Sequence, residues 1–230
     1  MATNNSINNI SNPLASSQVT IDPGASGDSY IQFDLNIGTG FRIGVDDDAS
    51  DAFVASQGSS LGTNNTMVIS STGEVVEPLN PAFSSYLGTQ DDNVTGGGAT
   101  YVLGGGNALT ESFDQGSNVT TAGVFTAPVD GIYYFGGETR TKAGTLTSSM
   151  TSAYFNINTS NRVWKQYAIN IWNCRSTFGS GGQFGRPVCV LADMDASDTA
   201  QYEQIISGGG NTVDIDDAIQ FSWFIGFLAV

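Results

Sequence analysis

Among side chains that do chemistry in proteins, histidine is missing from this sequence altogether. That removes the commonest general base and the commonest nitrogen ligand for metals at once. A Ser-His-Asp triad and every His-containing zinc site are therefore excluded. Carboxylates are plentiful, and Glu111, Asp114, Glu138 and Glu203 are the ones a glycosidase would draw on. Such an enzyme needs two carboxyls at a set separation across a deep cleft, and nothing in their spacing supplies it. Asp46, Asp47, Asp48 and Asp51 form the densest acidic run. The run lacks the sixth-place Gly and twelfth-place Glu of an EF-hand loop, so it reads as a solvated turn. Asp193, Asp195 and Asp198, then Asp214, Asp216 and Asp217, form two similar clusters that suit weak cation binding. Gly96-Gly97-Gly98 and Gly104-Gly105-Gly106 resemble phosphate cradles, but no helix start and no Lys follow them, and they read as turns. Cys174 and Cys189 either close a small loop or stay as two reduced thiols. Two thiolates alone do not make a structural zinc site. Trp164, Tyr167 and Trp172, beside Lys165 and Arg175, either pack into a core or form an exposed patch that stacks on sugars or a partner. No residue is assigned a catalytic role, and the chain reads as non-enzymatic.

Charge narrows the partners. Seven Lys+Arg stand against 22 Asp+Glu, a net charge of −15. Nucleic acid and anionic membrane surfaces call for cations that this chain lacks. The acidic excess serves solubility, cation binding or a partner with a basic surface. Residues 1–13 have neither the positive nor the apolar region of a signal peptide. No apolar run reaches 18 residues, so no membrane span is expected. Sequons at Asn4, Asn9, Asn64, Asn93, Asn118 and Asn158 are what an Asn- and Thr-rich chain produces by chance.

The elements that must position these residues are strands. Gly, Ser, Thr and Asn are dense, which favours strands and turns over helices. Residues 1–27 read as an extended arm, too polar to fold alone, with Ile7, Ile10 and Leu14 as its apolar contacts. Residues 28–77 read as a small β module. Its strands are expected at Tyr30–Leu35, Gly40–Val45, Ala52–Ala55 and Thr66–Ser70, with a hairpin turn at Gly38-Thr39-Gly40. Such a module is too small to bury a core by itself. Pro78 and Pro81 mark residues 78–81 as an extended linker. Residues 82–230 read as a second all-β unit. About eight strands and no helix are expected there, with residues 91–107 and 176–186 as loops.

Two motifs in this second unit carry a resemblance. Gly123-Val124-Phe125-Thr126-Ala127-Pro128, a Gly131 turn and the aromatic strand Ile132-Tyr133-Tyr134-Phe135 come first. The closing Phe221-Ser222-Trp223-Phe224-Ile225-Gly226-Phe227-Leu228 comes second. Together they resemble the globular head of complement component 1, subcomponent q, a relative of the tumour-necrosis-factor jelly roll. That family has Phe-Ser-Gly-aromatic-Leu at its end, so Trp223-Phe224-Ile225 reads as an insertion. Pro81–Leu87, Asn93–Gly96, Phe113–Gly116 and Asp193–Thr199 are similar to microbial and bacteriophage versions. Tyr30–Asp34, Ile43–Asp47 and Leu61–Asn65 look like modules that precede such heads in phage fibre and appendage proteins.

The resemblance implies an all-β jelly-roll head that forms a homotrimer, binds protein or glycan, and catalyses nothing. It places Tyr133, Phe135, Phe221, Trp223 and Phe227 at the seam about the three-fold axis. Trp164, Tyr167 and Trp172, from their own pattern, are the surface-binding candidates. The resemblance allows a calcium near Asp193, Asp195 and Asp198, with no other cofactor. The expected setting is a virion surface, on a capsid or tail, where the N-terminal arm docks on particle proteins and the head faces host protein or glycan. A capsid decoration protein without a receptor, or an extracellular lectin or adhesion module, are the alternatives.

Overall fold

The computed structural model describes residues 21, 27–34, 40–58, 60–217 and 221–230. The chain divides between Pro78 and Leu79 into two compact units. All strand pairs among the described residues are antiparallel.

The first unit is one meander of β1 (Ser29–Phe33), β2 (Phe41–Asp46), β3 (Ala52–Gln57), β4 (Asn65–Ile69) and β5 (Val75–Val76), paired in sequence order. The expected strands are there, and β5 adds a short edge that two consecutive valines did not announce. The hairpin turn placed at residues 38–40 lies mostly outside the described residues. So does the arm with Ile7, Ile10 and Leu14. The unit's apolar core is small: Ala52, Val54 and Leu61, with Val68 packed against them.

The second unit is a jelly roll. Its front sheet runs in the order β16-β11-β19-β6-β9, where β6 is Ala82–Leu87, β9 Leu109–Gln115, β11 Gly131–Glu138, β16 Val188–Met194 and β19 Trp223–Leu228. Its back sheet runs β10-β17-β13-β14, with β8 also on β17. Here β8 is Thr100–Val102, β10 Phe125–Thr126, β13 Ser152–Thr159, β14 Val163–Ile169 and β17 Thr199–Ser207. A smaller sheet of β15 (Gln183–Phe184), β12 (Arg140–Lys142), β18 (Val213–Asp216) and β7 (Asp91–Thr95) closes one end.

Period-two alternation explains how two sheets make one core. Tyr133 and Phe135 on β11, Phe83 on β6 and Phe224 on β19 point inward from the front sheet. Phe155 and Ile157 on β13 and Tyr202 on β17 meet them from the back. The rings interlock: Phe83 lies 4.9 Å from Phe224 edge-on, and Phe125 lies 5.3 Å from Phe135. Such contacts add about 0.5–1.5 kcal/mol per pair beyond the burial itself.

Two expectations need correction. The unit has fourteen strands among the described residues, not about eight. The segments read as loops carry β7 and β8 within residues 91–107, and β15 within 176–186. Their Gly content hid them, because each is short and pairs with a distant strand. The unit also has a helix, α1 (Trp172–Phe178). Its sequence is a poor helix former and no side chain caps its start. Trp172 and Cys174 pack against the core, and Arg175 donates from Nη1 to the Leu146 carbonyl at 2.8 Å, so tertiary contacts hold it. No described helix is long and apolar enough to cross a membrane.

Candidate functional site

The alternation that fills the core also decides what the front sheet shows outside. Across its outer face the register aligns Leu191, Tyr134, Phe227 and Ala82 in one row. The next row holds Cys189, Gly136, Ile225, Ser84 and Phe113. Leu191 is 63% exposed, Phe113 54% and Phe227 45%. Tyr134 stacks on Phe227 at 5.1 Å. Ala82, Ser84, Phe113, Ile225 and Phe227 ring a shallow apolar depression of about 270 Å³. The Cys189 thiol and burial together push the Tyr134 hydroxyl above its usual pKa. At one end of the face Glu138 is buried against Arg140, with Nε to Oε1 at 2.8 Å. Burial raises the Glu138 carboxyl, and the guanidinium pulls it partly back.

This geometry redistributes the five seam residues. Tyr133 and Phe135 are wholly buried inside their own protomer, so they cannot meet a neighbour. They sit one residue out of phase with the exposed face, which Tyr134 occupies instead. Phe227 is on the outer face, and Trp223 is half-buried on the same side of β19. Phe221 precedes that strand and is half-buried. The outer face also uses Leu191, Ile225 and Phe113, which sequence reasoning passed over. The alternation of Phe113 in β9 and Leu191 in β16 was the available signal.

Trp164, Tyr167 and Trp172 do not form one patch. On β14, Trp164 faces the core side with Ala168, whereas Tyr167 faces out and stacks on Tyr154 at 4.8 Å. Trp172 lies on α1 under the Arg175 guanidinium, 5.2 Å from its ring centre. Trp164 does line a cleft of about 370 Å³ with Ile132, Asn161, Arg162, Leu191 and Asp193.

The acidic clusters have local work. Asp198 Oδ2 accepts from the Asp195 amide at 3.0 Å and from Asn161 Nδ2 at 2.5 Å. Asp46 Oδ1 accepts from the Ala49 amide at 3.2 Å. Asp193 faces the Trp164 cleft. No three acidic or thiol groups converge among the described residues. The carboxylates weighed for hydrolysis are dispersed. Glu111 and Asp114 lie on β9, Glu138 on β11 and Glu203 on β17. Asp114 accepts from the Asn118 and Val119 amides, and Glu203 from Asn158 Nδ2 at 2.8 Å. Cys174 and Cys189 are free thiols. The glycine triplets are chain reversals. A Cβ on Gly106 would press against the buried Asp91 carboxylate, which accepts from Tyr101 Oη at 2.6 Å and the Asn107 amide at 2.6 Å.

Fold and surface together define an all-β, antiparallel jelly-roll module with an exposed apolar sheet face. No protein-family model matches the chain, and no curated protein does. Among solved structures it is similar to the globular domain of a zebrafish complement 1qA protein, at 14% identity and TM-score 0.44, over 66% of this chain and 98% of that one. Murine APRIL matches at 5% identity and TM-score 0.41, over 65% and 98%. The PRD1 vertex protein P5 matches at 13% identity and TM-score 0.40, over 65% and 97%. At such identities and TM-scores the likeness carries nothing about function.

Proposed function

We propose that this chain is a non-catalytic structural and binding protein that works as a homotrimer on a bacteriophage virion. The observation that carries the trimer is the outer face of the front sheet. Leu191, Tyr134, Phe227, Ile225 and Phe113 form a continuous apolar surface on a chain whose net charge is −15. Apolar patches this continuous mark interaction sites. A symmetric assembly buries three such faces against one another and leaves the acidic surface in water. The virion setting is supported by the phage-like motifs of the first unit and of Pro81–Leu87. The N-terminal residues Ile7, Ile10 and Leu14 anchor the trimer, and the head faces outward.

Mass spectrometry of purified particles of the virus that encodes the chain tests the setting. The protein is expected in the particles, and removing residues 1–20 is expected to abolish its incorporation. Absence from the particles, or incorporation unchanged by the deletion, would overturn it. Adsorption of the purified protein to host cells then separates a receptor-binding tip, which adsorbs, from a decoration protein, which does not.

A further inference from the structure

In the first unit one row of side chains is wrong for a finished structure. Arg42 on β2 pairs across the sheet with Ser56 on β3, which pairs with Asn65 on β4. Paired residues in antiparallel strands present their side chains on one face, about 5 Å apart, so Arg42 and Ser56 share a face, and Asn65 pairs with Ser56 beyond a bulge between Ala55 and Ser56. Arg42 is 7% exposed and Ser56 1%. Four of their polar atoms are buried with no hydrogen-bond partner: Arg42 Nε and Nη1, Ser56 Oγ and Asn65 Oδ1. Among the described residues the Arg42 guanidinium makes no ion pair, although Asp46 is buried on the same side of the same strand. It lies over the Tyr30 ring, 5.8 Å from centre to guanidinium carbon.

A buried cation without a counter-charge is among the costliest arrangements a protein holds. Here it sits in a chain where anionic groups outnumber cationic ones three to one, 22 against 7. We propose that the Arg42–Ser56–Asn65 row is a receiving site for an oxyanion, a carboxylate above all. The guanidinium brings unpaired N–H donors at Nε and Nη1, and charge-assisted bonds from such donors to a carboxylate are the strong ones. The Ser56 hydroxyl adds a third donor. The Asn65 amide, turned over about its last bond, exchanges its buried oxygen for an N–H donor.

Carboxylate can come from a small free anion or from an acidic side chain of a second copy, and one experiment separates them. Melting temperatures of the full-length wild type, Arg42→Met and Ser56→Ala are measured in sodium acetate and sodium sulfate against sodium chloride at matched ionic strength. A dilution series by light scattering is run alongside. A free anion gives the wild type a saturable rise over chloride that Arg42→Met lacks and Ser56→Ala shows with about tenfold weaker apparent affinity. A carboxylate from a second copy gives no rise, but Arg42→Met dissociates at a protein concentration about tenfold higher than wild type. If all three proteins respond alike to every salt and to dilution, the row receives nothing and the proposal is wrong. If Arg42→Met does not fold, Ser56→Ala decides by the same two readings.

Discussion

Tyr133 and Tyr134 are neighbours of one residue type, and the pleat sends them to opposite fates. Tyr133 is buried in the core, and its hydroxyl donates to the Val129 carbonyl at 2.9 Å. Tyr134 lies outside, against Phe227. The same rule puts Phe135 in the aromatic cluster. Phe135→Ala is therefore a core deletion, expected to cost about 3–5 kcal/mol of stability, read as a fall in the urea midpoint. A variant that keeps wild-type stability and loses only association would restore Phe135 to the seam. Glu138 gives a prediction in pH. Its folded carboxyl binds its proton more tightly than the unfolded one, whose ordinary value is 4.5. Stability contributed by this group therefore rises as pH falls from the raised folded value towards 4.5, and is lost as pH rises. Glu138→Gln removes that dependence, so the melting temperature of the wild type is expected to rise relative to the variant as pH falls from neutral. A difference between them that is constant with pH would show that Glu138 carries no raised value.

At the scale of elements, the last strand was the most informative part of the sequence and also the most misleading. Trp223-Phe224-Ile225 read as an insertion. In the fold they are ladder residues of β19, in unbroken register with Tyr86–Ser84 of β6 and Glu138–Gly136 of β11. Gly226 is there for space. A Cβ on it would come within 2.6 Å of the Phe83 ring and 2.7 Å of the Phe135 ring. Gly226→Ala is expected to destabilise the head by about 1–3 kcal/mol through overpacking. Scanning calorimetry that finds the variant as stable as wild type would contradict the packing of these rings. Long alternating strands such as β11, β13 and β17 were legible because each carries its own pattern. Strands β8 and β15 were not, because two or three residues cannot show a period and partners far along the chain specify them. Helix α1 was hidden for a related reason, since the core rather than its own propensity holds it.

For the molecule as a whole, the sequence made the all-β class readable, through its turn residues and strand alternation. It did not make the exposed face readable, because the hydrophobicity of a strand does not tell which of its two sides another layer covers. Both units leave apolar sheet faces open. In the first, Ile31, Phe33, Phe41, Val45 and Phe53 remain exposed around a core of three buried residues. Self-association through the front-sheet face of the head covers one of these surfaces in the proposed trimer. Light scattering of the full-length chain beside Phe227→Asp, in one buffer, tests both the association and the face. The wild type is expected at three times its 24.0 kDa mass, and the variant at 24.0 kDa with an unchanged circular dichroism spectrum. A wild type at 24.0 kDa, or a folded variant that keeps the threefold mass, would contradict the account.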